Sequence, residues 1–402
     1  MKRKDFLRTS TLTTAGLFIA NNPIKIFSKD FSSIDKSGVT ITKVVPYQFK
    51  AATFVKIECS EGISGWGECD GASRKISPTV IDKEMAKYLI GEDPFNSEYL
   101  WNKMYYSEED LGRSGILSGT IAGIDNALWD LKGKLLGMPV HKLLGGANRK
   151  KIQVYGSYGR NKDGRYLSPE EMAKIGAGFV EKGYKAIKPR MQIRQLGLNP
   201  DPDTTFDVIK AVRKAVGDDI KIYVDFNNGY IAAKAIMVAK KLHEYLNVEL
   251  IEEPVTFQTY DELRQVVDAL DIPVSAGEHE YNKWDMRDLI VEGNVDYVNA
   301  DVIKCGGITE CKKVAGIAHA FDKQIMTHNA RPTLATAANL QFLGSTFNAA
   351  RFQEYGGKRE SLNLSHLFKN YFHYEDGYLY IPQEPGLGLI PDEKEMEANK
   401  LN

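Results

Sequence analysis

The feature that most constrains this chain is a charged residue recurring at the end of short apolar segments. "YVDF" ends on such a residue at Asp225, "VELIEEP" at Glu252, "IPVSAGE" at Glu278, "VDYVNAD" at Asp301, "KQIMTHN" at His328 and "ARFQEY" at Glu354. Taken singly, a carboxylate there is a solvated loop residue or a helix N-cap. Repetition at intervals of 27, 26, 23, 27 and 26 residues asks for a common cause. One strand, one helix and their loops take that length, so the period is that of βα units. From Lys151 to Tyr355 strand-like and helix-like patterns alternate: "KIQVYGSYG", "SPEEMAKIGAGFVEKG", "YKAIKPR", "TTFDVIKAVRKAVG", "IKIYVDF" and onward. Ser168 with Glu171 forms a capping-box pattern on the first helix. Eight β segments are counted, the number that closes a (β/α)8 barrel, and the ends of such strands converge on one mouth where active sites lie. The eighth helix has no clear counterpart in the sequence.

The flanks differ. Val39 to Glu68 reads as three β segments, and "PTVIDKEMAKYLIGEDP" and "SGILSGTIAGIDNALWDLKGKLLGMPVHKLLGG" as helices, the second stopping at Gly137, Met138 and Pro139. Beyond Glu354 an aromatic, Gly- and Pro-rich segment contains a hairpin signal, "EDGYLYIP", and is expected to pack back onto the N-terminal unit. The expected organisation is an export signal and linker over 1–35, an α+β unit over 36–148, a TIM-like barrel over 149–355 and a returning segment over 356–402. The fold class is therefore α/β.

The first residues, "MKRKDFLRTSTLTTAGLFIANN", are basic up to Arg8 and then modestly apolar through Ala20, too short to span a bilayer. "RKDFLR" resembles a twin-arginine export signal with Lys4 in place of the second arginine, and periplasmic placement is expected; a disordered tail is the alternative. The chain of 402 residues carries 52 basic and 53 acidic residues, a net charge of −1, which gives no electrostatic reason for a nucleic-acid or anionic-membrane partner. Cys59, Cys69, Cys305 and Cys311 show no metal-like spacing and read as buried or free thiols.

Asp225, Glu252 and Glu278 end three consecutive strands, a set of hard oxygen ligands suited to Mg2+. A divalent cation would relieve their repulsion and stabilise the charge that builds when a proton beside a carboxylate is removed. His328 and Asp301 end neighbouring strands, where the acid can orient an imidazole acting as base.

The segments "IAGIDNALWDLKGKLLGMPVHKLLGG", "YKAIKPR", "VDFNNGY", "IEEP", "AGEHEY", "NADVIKCGGITE" and "THNA" resemble the mandelate racemase subgroup of the enolase superfamily, over nearly the whole chain from Val39. The resemblance implies a capping domain built from both chain ends, one Mg2+ per subunit (Mn2+ as a possible substitute) on Asp225, Glu252 and Glu278, and a His328–Asp301 dyad. It sets Lys188 and Arg190 on the family's Lys-x-Lys positions. Arg190 is a poor base, which favours one-base elimination over racemisation and leaves the two cations for the substrate carboxylate. Glu354 matches a family glutamate that contacts that carboxylate. Asn227, Ser157 and Tyr158 stand where family members touch substrate, or equally make loop hydrogen bonds. His279, directly after Glu278, is similar to the arrangement in sugar-acid dehydratases of the rhamnonate type. The implied activity is dehydration of an aldonate to a 2-keto-3-deoxy acid. A cycloisomerase or epimerase on an anhydrosugar acid or lactone, and an inactive sugar-acid binding protein, are the alternatives. A small-molecule sugar acid is the expected partner, in a homo-oligomer, with specificity from loops at Pro46 to Ala51 and Cys69 to Ser77.

Overall fold

A computed structural model describes residues 38–357 and 364–401, so the export-signal segment lies outside the described residues. Strands Ile41–Gln48, Thr53–Cys59 and Ser64–Glu68 form an antiparallel three-stranded sheet. Helix Ile116–Leu135 lies against it and is buried almost all round, as its run of small and apolar residues requires. The contact is at backbone distance: a Cβ on Gly67 would overlap the carbonyl oxygen of Gly123, which explains the glycines of "SGWGE". The helix Ser97–Ser107, not anticipated from the sequence, adds Leu100, Trp101 and Met104 to this core.

Eight parallel strands then form the barrel: Lys151–Gly159, Ala186–Arg190, Lys221–Asp225, Val248–Glu252, Val274–Ala276, Tyr297–Val298, Gln324–Ile325 and Phe352–Glu354. Each pairs with the next in parallel from the first to the seventh, and the eighth pairs with the first. A single bridge between Ile325 and Ala349 closes the ring. The helix after the first strand, Pro169–Glu181, carries the expected capping box, Ser168 accepting from the Glu171 amide and Glu171 from the Ser168 amide. Inside the barrel Tyr155, Ala186, Leu250, Met326 and Phe352 pack as one cluster below the mouth. Among the described residues the only helical segments after the eighth strand are a single 3-10 turn, Ser365–Leu367, and the short helix Glu393–Asn399 near the end of the chain. Between them lies the hairpin Tyr374–Glu375 and Tyr378–Tyr380, turning at Asp376 and Gly377 with positive φ and pairing antiparallel to the start of the first barrel strand.

The tail continues to the capping sheet. Leu387 donates its amide to Asp130 at 2.8 Å, Tyr47 donates its hydroxyl to Glu397 at 2.5 Å, and Leu401 donates to the Gln48 carbonyl at 2.7 Å.

The capping helix also docks on the loop after the sixth strand. Asp125 accepts from the amide (2.9 Å) and hydroxyl (2.6 Å) of Thr309. Asn126 donates to the Val302 carbonyl and accepts from the Ile308 amide, and Trp101 donates to the Gly306 carbonyl. Gly307 has φ +89°, and a Cβ there would press on the Asp125 carboxylate.

Candidate active site

Asp225 and Glu252 lie in register on neighbouring strands, and Glu278 follows the fifth strand by two residues. All three are buried. Asp225 accepts from the Asn227 amide and side chain, both at 2.8 Å, with Asn227 and Asn228 in the left-handed region that asparagine tolerates. Glu252 accepts from Asn299 at 2.8 Å and Ser275 at 3.3 Å. Glu278 Oε2 lies 3.4 Å from His328 Nε2 yet is buried without a hydrogen bond.

The three expected ligands are not drawn into one tight trio. Lys188 Nζ pairs with Glu252 and stands 3.8 Å from Glu354, while Arg190 Nε lies 3.3 Å from Asp225. The acidic and histidine groups within 4.8 Å of one another, among the described residues, are instead Glu253, Glu278 and His279.

The structure brings His328 and Asp301 together: His328 Nδ1 is 2.6 Å from Asp301 Oδ2, and Asp301 Oδ1 accepts from the Ile303 amide at 2.9 Å. Burial alone would lower the imidazole pKa, but the facing Glu278 and the Asp301 hydrogen bond raise it above its ordinary value. Burial also lifts the carboxyls of Asp225 and Glu252, with Lys188 only partly offsetting it. Glu278 goes the other way, since His328, Lys304 and Arg190 outweigh burial. Lys188 is held protonated by Glu252 and Glu354 against its burial. Around this point the five carboxyl groups of Asp225, Glu252, Glu278, Asp301 and Glu354 face three cationic side chains, Lys188, Arg190 and Lys304, besides His328. Three buried carboxyl groups close to one another and a Glu278 oxygen without a hydrogen bond are a donor set that fits a hard divalent ion on Asp225, Glu252 and Glu278.

The remaining residues divide. Ser157 faces the barrel interior beside Glu354. Lys188, His328, Ser157 and the Asn329 amide hold Glu354 down to about 2 despite burial, and it accepts from that amide at 2.8 Å. Tyr158 requires a correction. Period-two alternation turns it outward, where its ring stacks on Phe179 at 5.6 Å and its hydroxyl lies by Gly176 of the outer helix, so it does not reach the mouth. His279 stacks on Phe257 at 4.6 Å, with burial lowering its pKa to about 4. It joins Arg190, Gln192, Arg194 and Asn227 around a cavity of about 380 Å³.

Two residues that the sequence reading passed over belong to the site. Lys304 donates to the Glu278 carbonyl at 3.0 Å and stands 3.8 Å from its carboxylate. Its place three residues after Asp301, in the same strand-end loop, is the signal that points to it. Glu253, buried beside Glu252 with φ +46°, accepts from Asn228 at 2.6 Å.

Two family models match the chain: the mandelate racemase / muconate lactonizing enzyme N-terminal domain over residues 40–145, and the enolase C-terminal domain-like model over residues 171–395. The chain belongs to the mandelate racemase / muconate lactonizing enzyme family of the enolase superfamily, and it is an enzyme. It is 32% identical to the arabinonate dehydratase of Saccharolobus solfataricus, over 83% of this chain and 86% of that one. To the D-galactonate dehydratase of Pectobacterium atrosepticum it is 32% identical, over 90% and 94%. Among solved structures, the 3,6-anhydro-D-galactonate cycloisomerase of Zobellia galactanivorans superposes with TM-score 0.80 at 31% identity, covering 90% of this chain and all of that one. A mandelate racemase/muconate lactonizing protein from Paracoccus denitrificans, complexed with magnesium, does so with TM-score 0.83 at 32% identity, covering 90% and 98%.

Proposed function

We propose that the chain is a Mg2+-dependent acid-sugar dehydratase, converting an aldonate to a 2-keto-3-deoxy acid. The observation that carries this reading is the dyad: His328 Nδ1 is tied to Asp301 at 2.6 Å while Nε2 stands 3.4 Å from Glu278. An imidazole so held has one nitrogen free to take the proton beside a carboxylate. Held by Asp225, Glu252 and Glu278, Mg2+ would supply Lewis-acid stabilisation of the charge that develops on the substrate carboxylate. Lys188 and Arg190 add fixed positive charge on the second strand, and neither is suited to act as a base on the opposite face. His328 takes the α-proton, the electron pair of that bond forms the carbon–carbon double bond, and the β carbon–oxygen bond breaks. The imidazolium returns its proton to the departing hydroxyl as water, and the enol becomes the 2-keto acid. The arabinonate and D-galactonate dehydratase relatives support an aldonate as substrate.

Likeness to the anhydrogalactonate cycloisomerase along its full length favours a second reading, in which the same proton is removed but an isomer leaves. Proton NMR in D2O with Mg2+, over a panel of aldonic, aldaric and anhydrosugar acids, separates them. A 2-keto-3-deoxy product supports the dehydratase, an isomer formed without loss of water supports the cycloisomerase, and no α-proton exchange with any acid removes both. Periplasmic placement by a twin-arginine-like signal is likewise proposed on the Arg3 to Arg8 stretch; loss of export on replacing Arg3 and Lys4 together would support it, and a wild-type chain that is not exported would end it.

A further inference from the structure

The site described so far is built by strand ends, and one barrel side chain beside it reaches two loops of the capping domain, residues 49–52 and 69–74. Arg331 stands three residues after His328. Its Nε donates to Glu68 at 2.5 Å, one terminal nitrogen donates to the Ala51 carbonyl, and the other lies where a Cβ on Gly71 would approach to 2.6 Å. Its side chain is 14% exposed, and that of Glu68 is fully buried. The second Glu68 oxygen accepts from the Thr333 hydroxyl and, at 3.1 Å, from the Ala335 amide. These are the N-cap residue and the second residue of helix Leu334–Ser345, so a carboxylate from the capping sheet caps a barrel helix across the domain seam. Arg74 laces the two loops to each other, donating to the Gly71 carbonyl at 2.7 Å and the Lys50 carbonyl at 3.4 Å. The clasp delivers Asp70, 5% exposed, to face Lys304, Asp301 and His328. Behind Asp70 there is no slack, since a Cβ on Gly119 would sit 2.7 Å from its own Cβ.

The geometry points to Arg331, held by Glu68, as a specificity-positioning residue that fixes the two capping loops and Asp70 over the barrel mouth against the His328 segment, and so sets which polyol end of the substrate acid is accepted. This rests on the acid-sugar reading above. The forked guanidinium is needed, because a lysine ammonium on a flexible stem cannot meet both Glu68 and the Ala51 carbonyl while filling the space over Gly71. Arg331 touches none of the reacting groups, so its loss acts on recognition through the loops.

The test compares kcat/KM for the best aldonate and for its epimer at the stereocentre farthest from the carboxylate, in the full-length Mg2+-loaded protein and in Arg331→Met, Arg331→Lys and Gly71→Ala. The expected result is a discrimination ratio that falls about tenfold, the size of a lost pocket contact, while the rate on the poor epimer stays within about threefold. Hydrogen exchange should quicken in residues 50–53 and 69–74 and not in the barrel strands. Equal losses on both acids, with the ratio kept, would make the clasp merely structural and overturn the proposal. If the wild type turns over no sugar acid, the substrate reading fails. Exchange then decides the clasp alone, with unchanged rates in 50–53 and 69–74 overturning it. Should Arg331→Met not fold, Gly71→Ala presses on the guanidinium from the other side and carries the same comparison.

Discussion

The barrel mouth and the docking seam of helix Ile116–Leu135 both bury charged and polar side chains, and they treat them oppositely. At the seam, Asp125 is met by both donors of Thr309 and Asn126 uses both ends of its amide. Buried polar groups satisfied in this way cost little and specify one docking geometry, whereas each one left unpaired costs about 1–3 kcal/mol. At the mouth, carboxylates crowd and Glu278 keeps an oxygen without a hydrogen bond. A satisfied buried network is architecture. A charge-rich, incompletely paired one in the same protein marks the place built for something that arrives.

The sharpest break of the comparison is chelation. Removing divalent ions with EDTA is expected to abolish turnover and lower the melting temperature, with Mg2+ restoring both because it binds only the folded site. Melting and turnover indifferent to EDTA would leave the mouth's charges unexplained. Next comes His328→Asn, expected to slow turnover about 10³-fold with the melting temperature kept, read by α-proton exchange in D2O. Unchanged exchange would take the base role from His328.

The seam should respond in the reverse sense. Asp125→Ala strands the Thr309 amide and deprives Lys132 of its facing charge, at a cost of about 3 kcal/mol in urea unfolding, with turnover of the folded fraction within a few-fold of wild type. A finer effect concerns pH. Burial pushes the Asp125 carboxyl up to about 6, Thr309 and Lys132 offsetting it only in part. An acid whose folded pKa is raised holds its proton more tightly when folded. Its contribution is whole below the unfolded value of 3.8 and is lost as pH rises through 6. The stability of wild type relative to Asp125→Asn should therefore grow from pH 7 to pH 5, seen as a shift between their urea midpoints.

Much of this was legible along the chain, because period and position are properties of sequence. The recurrence of Asp225, Glu252, Glu278, Asp301, His328 and Glu354 announced a barrel and a mouth, since strands of one handed, repeating unit bring their ends together whatever the rest of the chain does. The dyad followed, because neighbouring strand ends are neighbours in space. What only the tertiary structure decided depends on side-chain direction and on contacts between distant segments. Ser157 and Tyr158 are adjacent in sequence yet turn to opposite faces of one strand. Lys188 and Arg190 were read as substrate cations, but which carboxylates they reach depends on the barrel's register. The meeting of Glu68 with Arg331 joins residues 263 apart, and no local propensity encodes it. A chain carries its periodicities openly, whereas a contact across a domain seam exists only once both surfaces have folded.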